Sequence, residues 1–175
     1  RKGLLETKLG IPFRTPAEGH NIAFTSLWDN YPDSLQIPLQ GKASRAYLLM
    51  AGSTNHMQCH IDNGVIRVYY EDGTCDTLSL VNPDNWPPIE QIFFEDGKSF
   101  NRHAPSLYRL RLKTGELSNN FGEELGFTGV SREVDGGAAV LLEMSLNAGK
   151  KLSHLVLETL SNEVVIGIMG ITLQR

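Results

Sequence analysis

Short strand-like runs, each bounded by turn residues, dominate the 175-residue sequence. The runs are rich in β-branched, aromatic and aliphatic residues, and the segments between them contain Gly, Asn or Ser. No long amphipathic helix pattern competes with them. Many short strands with closely spaced turns predict an all-β fold, a β-sandwich or jelly roll, rather than an α/β fold. The predicted strands span residues 21–27, 34–40, 44–50, 65–70, 74–81, 106–113, 138–146, 152–160 and 164–173.

One hairpin can be predicted in register from the alternation of apolar residues. The loop that ends at Gly73 has three residues, and we expect Gly73 to take the left-handed conformation that closes such a hairpin. This register pairs Ile66 with Leu78 on the core face. It pairs Tyr69 with Cys75 on the opposite face.

The sequence contains two cysteines, and we expect both to remain reduced thiols. A two-residue hairpin at Asn63-Gly64 would place Cys59 opposite Val68 on the core face. Cys75 points away from the core in the register given above. The two sulfur atoms would then lie on opposite faces of the sheet, too far apart for a disulfide.

Length and composition are those of one globular domain with a sizeable core. Hydrophobic residues make up 41% of the chain and charged residues 21%. The formal net charge is -4 and the basic residues are scattered, which indicates no nucleic-acid partner. The longest apolar stretch, 164–172, is about half the length of a spanning helix, so we expect a buried strand and no membrane span.

The middle of the sequence differs from the rest because it is rich in Pro and Gly. We therefore expect a single β-sandwich domain over residues 1–175 with an irregular insertion around residues 83–137. Long irregular connections on a β scaffold often carry binding residues, so we expect functional residues in the insertion.

The chain opens at Arg1 without an initiator Met, and we expect it to be part of a larger polypeptide.

Three segments carry a resemblance to a known family. They are IPFRT followed by NIAFTSLWDNYPDSLQIPLQGKASRAYLLMAGST, then VIRVYYEDGTCDTLSLVNPDNW, and finally KLSHLVLETLSNEVVIGIMGITLQ. In pattern they resemble the galactose-binding-like β-sandwich domains, described as novel putative carbohydrate-binding modules, of bacterial glycoside hydrolases. The resemblance covers roughly the first half and the last third of the chain, and the span from Pro87 to about Gly137 departs from it.

The resemblance implies more than a fold. It implies a galactose-binding-domain-like sandwich that accompanies a catalytic domain of the same polypeptide. A glycan or polysaccharide would be the partner, and the location would be secreted or periplasmic.

Two aromatic and polar groups could bind a sugar, which needs an aromatic face and hydrogen-bonding groups beside it. A Trp beside a strand end more often fills the rim of a sandwich than stacks on a ligand, so both interpretations stay open. The first group is Trp28, Asp29, Asn30 and Tyr31, and the second is Asn82, Asp84, Asn85 and Trp86.

A row of cations is predicted on one face of the strand that contains Arg109, Arg111 and Lys113. With Arg102 and His103 upstream, the row could bind a uronate or a sulfated sugar through bidentate guanidinium contacts. More often such a row is a solvated face that discourages edge-to-edge strand pairing.

Signals for a metal site or for catalysis are weak. His56 and His60 are four residues apart, but without an HExxH or CxxC motif we expect no transition-metal site and assign no metal ligands. Calcium, bound by Asp and Asn oxygen atoms near one end of the sandwich, is the alternative, and no other cofactor is expected.

A hydrolase would need two carboxylates that face each other, and a lyase would need a base beside an Arg. The candidates are Glu90, Glu95, Asp96, Glu123 and Glu124 for a hydrolase, and His103, Tyr108 and Arg109 for a lyase.

The sequence therefore predicts a non-catalytic carbohydrate-binding or accessory module with a site near Trp28 and Trp86. A structural spacer that packs on a catalytic domain without sugar affinity is one alternative. A small polysaccharide-active hydrolase or lyase that uses the insertion is the other.

Overall fold

The computed structural model describes residues 3–90, 103–120 and 133–175. Within these ranges the regular structure is β-strand, apart from one short 3₁₀ helix at His56–Gln58, so the predicted all-β class is confirmed. The strands are β1 (Leu4–Glu6), β2 (Pro12–Arg14), β3 (Ala23–Ser26), β4 (Ser34–Pro38), β5 (Arg45–Ser53), β6 (Asp62–Tyr70), β7 (Cys75–Val81), β8 (Tyr108–Arg111), β9 (Leu117–Ser118), β10 (Ala138–Ser145), β11 (Leu152–Thr159) and β12 (Val165–Gln174).

Two large antiparallel sheets form the body of the domain. The order is β3-β12-β5-β10-β8-β9 in the six-stranded sheet and β4-β11-β6-β7 in the four-stranded sheet, while β1 pairs only with β2. The pairs β4/β5, β10/β11 and β11/β12 follow one another in sequence but lie in different sheets. Their short Gly-, Asn- or Ser-containing connections are therefore corners between the sheets.

The main core lies between the two large sheets. Leu48 and Met50 of β5 enter it from the six-stranded sheet, and Ile66 and Val68 of β6 enter it from the four-stranded sheet; all four are fully buried. Every second residue points inward because the strand is pleated. Two sheets enclosing one apolar core is the arrangement of a β-sandwich.

The outer face of the six-stranded sheet carries a second apolar cluster. Leu49 and Ala51 of β5 pack there with Phe13 of β2, which is also fully buried. A Cβ atom at Gly170 of β12 would lie 3.2 Å from Cδ1 of Phe13, so the glycine makes room for the ring. The N-terminal strands thus cover part of a face that would otherwise meet water.

The hairpin between β6 and β7 has the predicted register. Ile66 is paired with Leu78, and Tyr69 is paired with Cys75. Gly73 has a φ of +83°, the left-handed conformation that the three-residue loop requires.

The second predicted hairpin is wrong, because Asn63 and Gly64 lie inside β6. The Asn63 side chain is fully buried, and its Nδ2 donates hydrogen bonds to the carbonyl oxygens of Gln58 and Ile61. Gly64 is paired with Leu80 of β7 and with Thr159 of β11, so the chain is extended here and does not turn. Cys59 therefore lies in the loop before β6 rather than opposite Val68.

The other strand predictions are confirmed, with ends that differ by at most three residues, and β1, β2 and β9 are additional. Both cysteines lie in the described residues and neither forms a disulfide, as predicted. None of the described residues belongs to a helix long and apolar enough to cross a lipid bilayer.

Candidate functional site

Several loops converge at one end of the sandwich. Val165, the first residue of β12, is paired with both Ser26 at the end of β3 and Ser53 at the end of β5. In the other sheet Asp62, the first residue of β6, is paired with Val81 at the end of β7. We call this region the loop end; it contains residues 27–33, 54–61, 160–164 and the chain that follows Val81.

An aromatic surface lies at the loop end and consists of Phe24, Trp28 and Tyr31. Their exposed fractions are 36%, 52% and 41%. The ring centroids of Phe24 and Tyr31 lie 6.5 Å apart with an interplanar angle of 80°, and those of Trp28 and Tyr31 lie 6.5 Å apart at 55°. Tyr31 thus contacts Phe24 edge to face and Trp28 at a tilted angle, and all three side chains remain partly exposed.

A tight turn between β3 and β4 holds this surface in place. The main-chain N–H of Tyr31 donates to the carbonyl of Trp28, at 3.0 Å. The Ser26 hydroxyl anchors the turn to the start of β12 by donating to the carbonyl of Val164, at 2.8 Å. Asp29 and Asn30 lie inside the turn and are exposed. The first group predicted from the sequence, residues 28–31, thus forms one exposed turn that carries both aromatic and polar side chains.

An apolar cavity of about 540 Å³ adjoins the aromatic surface through Phe24. Its lining includes Ile22 and Met169, together with Ile89 and Leu112 from the insertion. Apolar pockets with a few polar groups at the mouth are typical of ligand sites.

No family model, curated protein or solved structure matches the chain. The resemblance to galactose-binding-like modules therefore stays a prediction.

Trp86 does not belong to an exposed site. Its side chain is fully buried in the main core, and a Cβ atom at Gly52 would lie 2.8 Å from its Cζ2 atom. A ring enclosed in this way cannot stack on a sugar, so this part of the predicted site needs correction. Asn85 is likewise structural: its Oδ1 accepts from the Val81 N–H at 2.7 Å, and its Nδ2 donates to the Ser79 carbonyl at 2.8 Å.

The predicted row of solvated cations is also corrected, because Arg109 is 5% exposed. It is paired with Val140, which faces the main core, and directly paired residues share a face of the sheet. Its Nη2 donates to the carbonyls of Pro88 and Ala138, at 2.9 and 2.8 Å. Burial lowers the pKa of Arg109 to about 10, so the guanidinium remains charged at neutral pH.

The other members of the row pair with acids. Arg111 lies 3.5 Å from Glu116, and Lys113 lies 2.5 Å from Asp135. Arg102 lies outside the described residues. A uronate site built on Arg109 is therefore not supported, and neither is a lyase grouping that needs this side chain in contact with substrate.

The hydrolase candidates mostly lie outside the part of the chain that the structure describes: Glu95, Asp96, Glu123 and Glu124 are all in the omitted ranges, whereas Glu90 is described and exposed.

Three potential metal ligands that the sequence does not connect meet at the loop end. His60, Asp84 and His103 bring their nitrogen and carboxylate oxygen atoms within 4.8 Å of one another. The two imidazole rings are stacked, with centroids 4.5 Å apart and an interplanar angle of 18°. Sequence analysis missed the group because the ligands come from separate segments and follow no motif spacing.

Proposed function

We propose that the chain is a non-catalytic carbohydrate-recognising module of a larger, secreted or periplasmic polysaccharide-degrading protein. The observation that carries the proposal is the exposure of Trp28 beside Tyr31, with Asp29 and Asn30 in the same turn. The galactose-binding-like or jelly-roll form of the β-sandwich belongs to the same proposal.

The chemistry of the aromatic surface suits a sugar. The C–H face of a pyranose packs on an exposed indole, while its hydroxyl groups need hydrogen-bonding partners at the ring edge. Asp29 can accept hydrogen bonds and Asn30 can both donate and accept them. Trp28 is 52% exposed and is accompanied by the exposed Phe24 and Tyr31, and a contiguous apolar patch of this kind is typical of an interaction site.

The test is a glycan array that contains neutral and acidic glycans, followed by calorimetry on each hit. We expect saturable binding, and we expect Trp28→Ala to weaken it about five- to thirtyfold, since aromatic contacts with their buried area contribute on the order of 1–2 kcal/mol. The matched control is Leu160→Ala, because Leu160 is also exposed at the loop end but lies outside the aromatic surface. Binding that Trp28→Ala and Tyr31→Ala leave unchanged would contradict the proposed site.

A structural spacer is the second candidate, favoured by the apolar cavity and by the exposed Phe24 and Leu27. Apolar surface of this kind also packs on another domain. The spacer would be favoured if no glycan binds and if the main-chain amides of Phe24 and Leu27 exchange more slowly in the longer polypeptide than in the isolated chain. Binding of a glycan without such protection would favour recognition.

A further inference from the structure

We propose that His60, Asp84 and His103 bind one divalent transition-metal ion, with Zn²⁺ as the first candidate. The proposal is independent of sugar binding, because none of the three residues belongs to the aromatic surface. It rests on the kind of ligand, on the way the main chain holds the ligands, and on the spacing of their donor atoms.

The ligand set favours a transition metal over calcium. Imidazole nitrogen is a preferred ligand of Zn²⁺, Cu²⁺ and Ni²⁺, whereas calcium takes oxygen ligands. Two His residues and one carboxylate supply three protein ligands and leave positions for water or for a bound molecule. The proposed site therefore departs from the sequence-based expectation of no transition-metal site, and it also differs from the calcium alternative.

Main-chain contacts connect the three segments that carry the ligands. The N–H of His60 donates to the carbonyl of Asn82 at 2.8 Å, and Cys59 forms a β-bridge with Asn82. One carboxylate oxygen of Asp84 accepts from the main-chain N–H of His103, at 2.6 Å. Each ligand is thus positioned relative to the next before any ion binds, which lowers the entropy cost of binding.

The donor atoms are close enough for one ion to bind all three after a small adjustment. Bonds of about 2.0–2.2 Å from zinc to nitrogen or oxygen place neighbouring donor atoms roughly 3–3.5 Å apart. The donor atoms all lie within 4.8 Å of one another, so each pair would have to close by at most about 1–2 Å. His103 is exposed, so rotation of its side chain can provide this movement without disturbing the core.

The experiment is calorimetric titration of the whole chain, treated with a chelator and then dialysed, with Zn²⁺ and separately with Ca²⁺. We expect one Zn²⁺ per chain with a dissociation constant in the micromolar range or tighter, and no saturable heat with Ca²⁺. His103→Ala and Asp84→Asn should each weaken Zn²⁺ binding at least tenfold. Asp84→Asn keeps an oxygen that can accept from the His103 N–H, so it separates ligation from loop structure.

Two further variants complete the design. His60 has a φ of +56°, so His60→Asn is the suitable change because Asn tolerates this conformation. The matched control is His154→Ala, since His154 is also stacked on an aromatic ring, that of Tyr69 at 4.8 Å, but lies in the middle of the four-stranded sheet. We expect the control to bind Zn²⁺ as the parent chain does.

Three outcomes would overturn the proposal. The first is no saturable binding at one ion per chain. The second is binding that survives both His103→Ala and Asp84→Asn in variants whose circular dichroism is unchanged. The third is binding that is lost in Cys59→Ser but retained in His103→Ala, which would assign the ion to the neighbouring thiol.

Discussion

Nη2 of the buried Arg109 side chain lies 2.9 Å from the main-chain oxygen of Pro88. Arg109 belongs to β8 in the middle of the insertion, and Pro88 lies near the start of the insertion. The same Nη2 atom also donates to Ala138 in β10. One guanidinium on β8 therefore holds the start of the insertion against β10.

We expect Arg109→Lys to lower the free energy of unfolding by about 1–3 kcal/mol, because an ammonium group lacks the planar fork that reaches both carbonyls. Urea denaturation monitored by circular dichroism measures the change. The control is Arg45→Lys, which alters an exposed ion pair with Glu143 and should cost less than about 1 kcal/mol. Equal effects of the two changes would mean that the buried contacts of Arg109 contribute no more to the free energy of unfolding than an exposed ion pair does.

The two tryptophans should differ sharply in stability measurements. Trp86→Ala removes a fully buried side chain and should cost about 3–5 kcal/mol, while Trp28→Ala removes a half-exposed one and should stay within about 0.5 kcal/mol. Circular dichroism is the readout, since each change removes a fluorophore. A large loss in Trp28→Ala would show that this ring supports the fold, and it would weaken the case for a binding role.

Tyr70 should make stability depend on alkaline pH. Burial of the phenol and its hydrogen bond to Asp76 raise the pKa of Tyr70 to about 12, and the main-chain N–H of Asn147 donates to the phenol oxygen at 2.7 Å. A raised pKa means that the folded state holds the proton more tightly than the unfolded state, so the contribution is complete below about pH 10 and is lost as the pH rises through about 12.

The test compares the parent chain with Tyr70→Phe across this range. The difference between their free energies of unfolding should be constant below about pH 10 and should shrink between about pH 10 and 12. The absorbance titration of the phenols should lose its most alkaline component in the variant. A difference that does not change with pH would contradict the assignment.

The two thiols should differ in reactivity toward a disulfide reagent such as DTNB. Cys75 is exposed, whereas Cys59 is only partly exposed and its Sγ lies 3.5 Å from Nδ2 of Asn82. We expect Cys75 to react first in the folded chain and both thiols to react under denaturing conditions without a reductant. Cys75→Ser should abolish the fast phase. Failure to detect two thiols in the denatured chain would indicate a disulfide that the structure does not contain.

The sequence by itself determined the local structure. Strand positions and the register of the hairpin at Gly73 follow from the alternation of apolar residues and from turn chemistry, both of which act over a few residues. The turn that carries Trp28 and Tyr31 could be found in the same way. The absence of a disulfide was predicted correctly, although the hairpin at Asn63-Gly64 that supported it was wrong.

Only the tertiary structure decided which side chains are exposed and which distant segments meet. Arg109 is buried because β8 pairs with β10 in a sheet that is covered on both faces, and alternation along one strand does not reveal such a second cover. Trp86 is buried because Gly52 leaves space for it. His60, Asp84 and His103 come together because the ends of paired strands converge at the loop end. This convergence follows from the strand order, and the spacing of the three residues in the sequence does not reveal it.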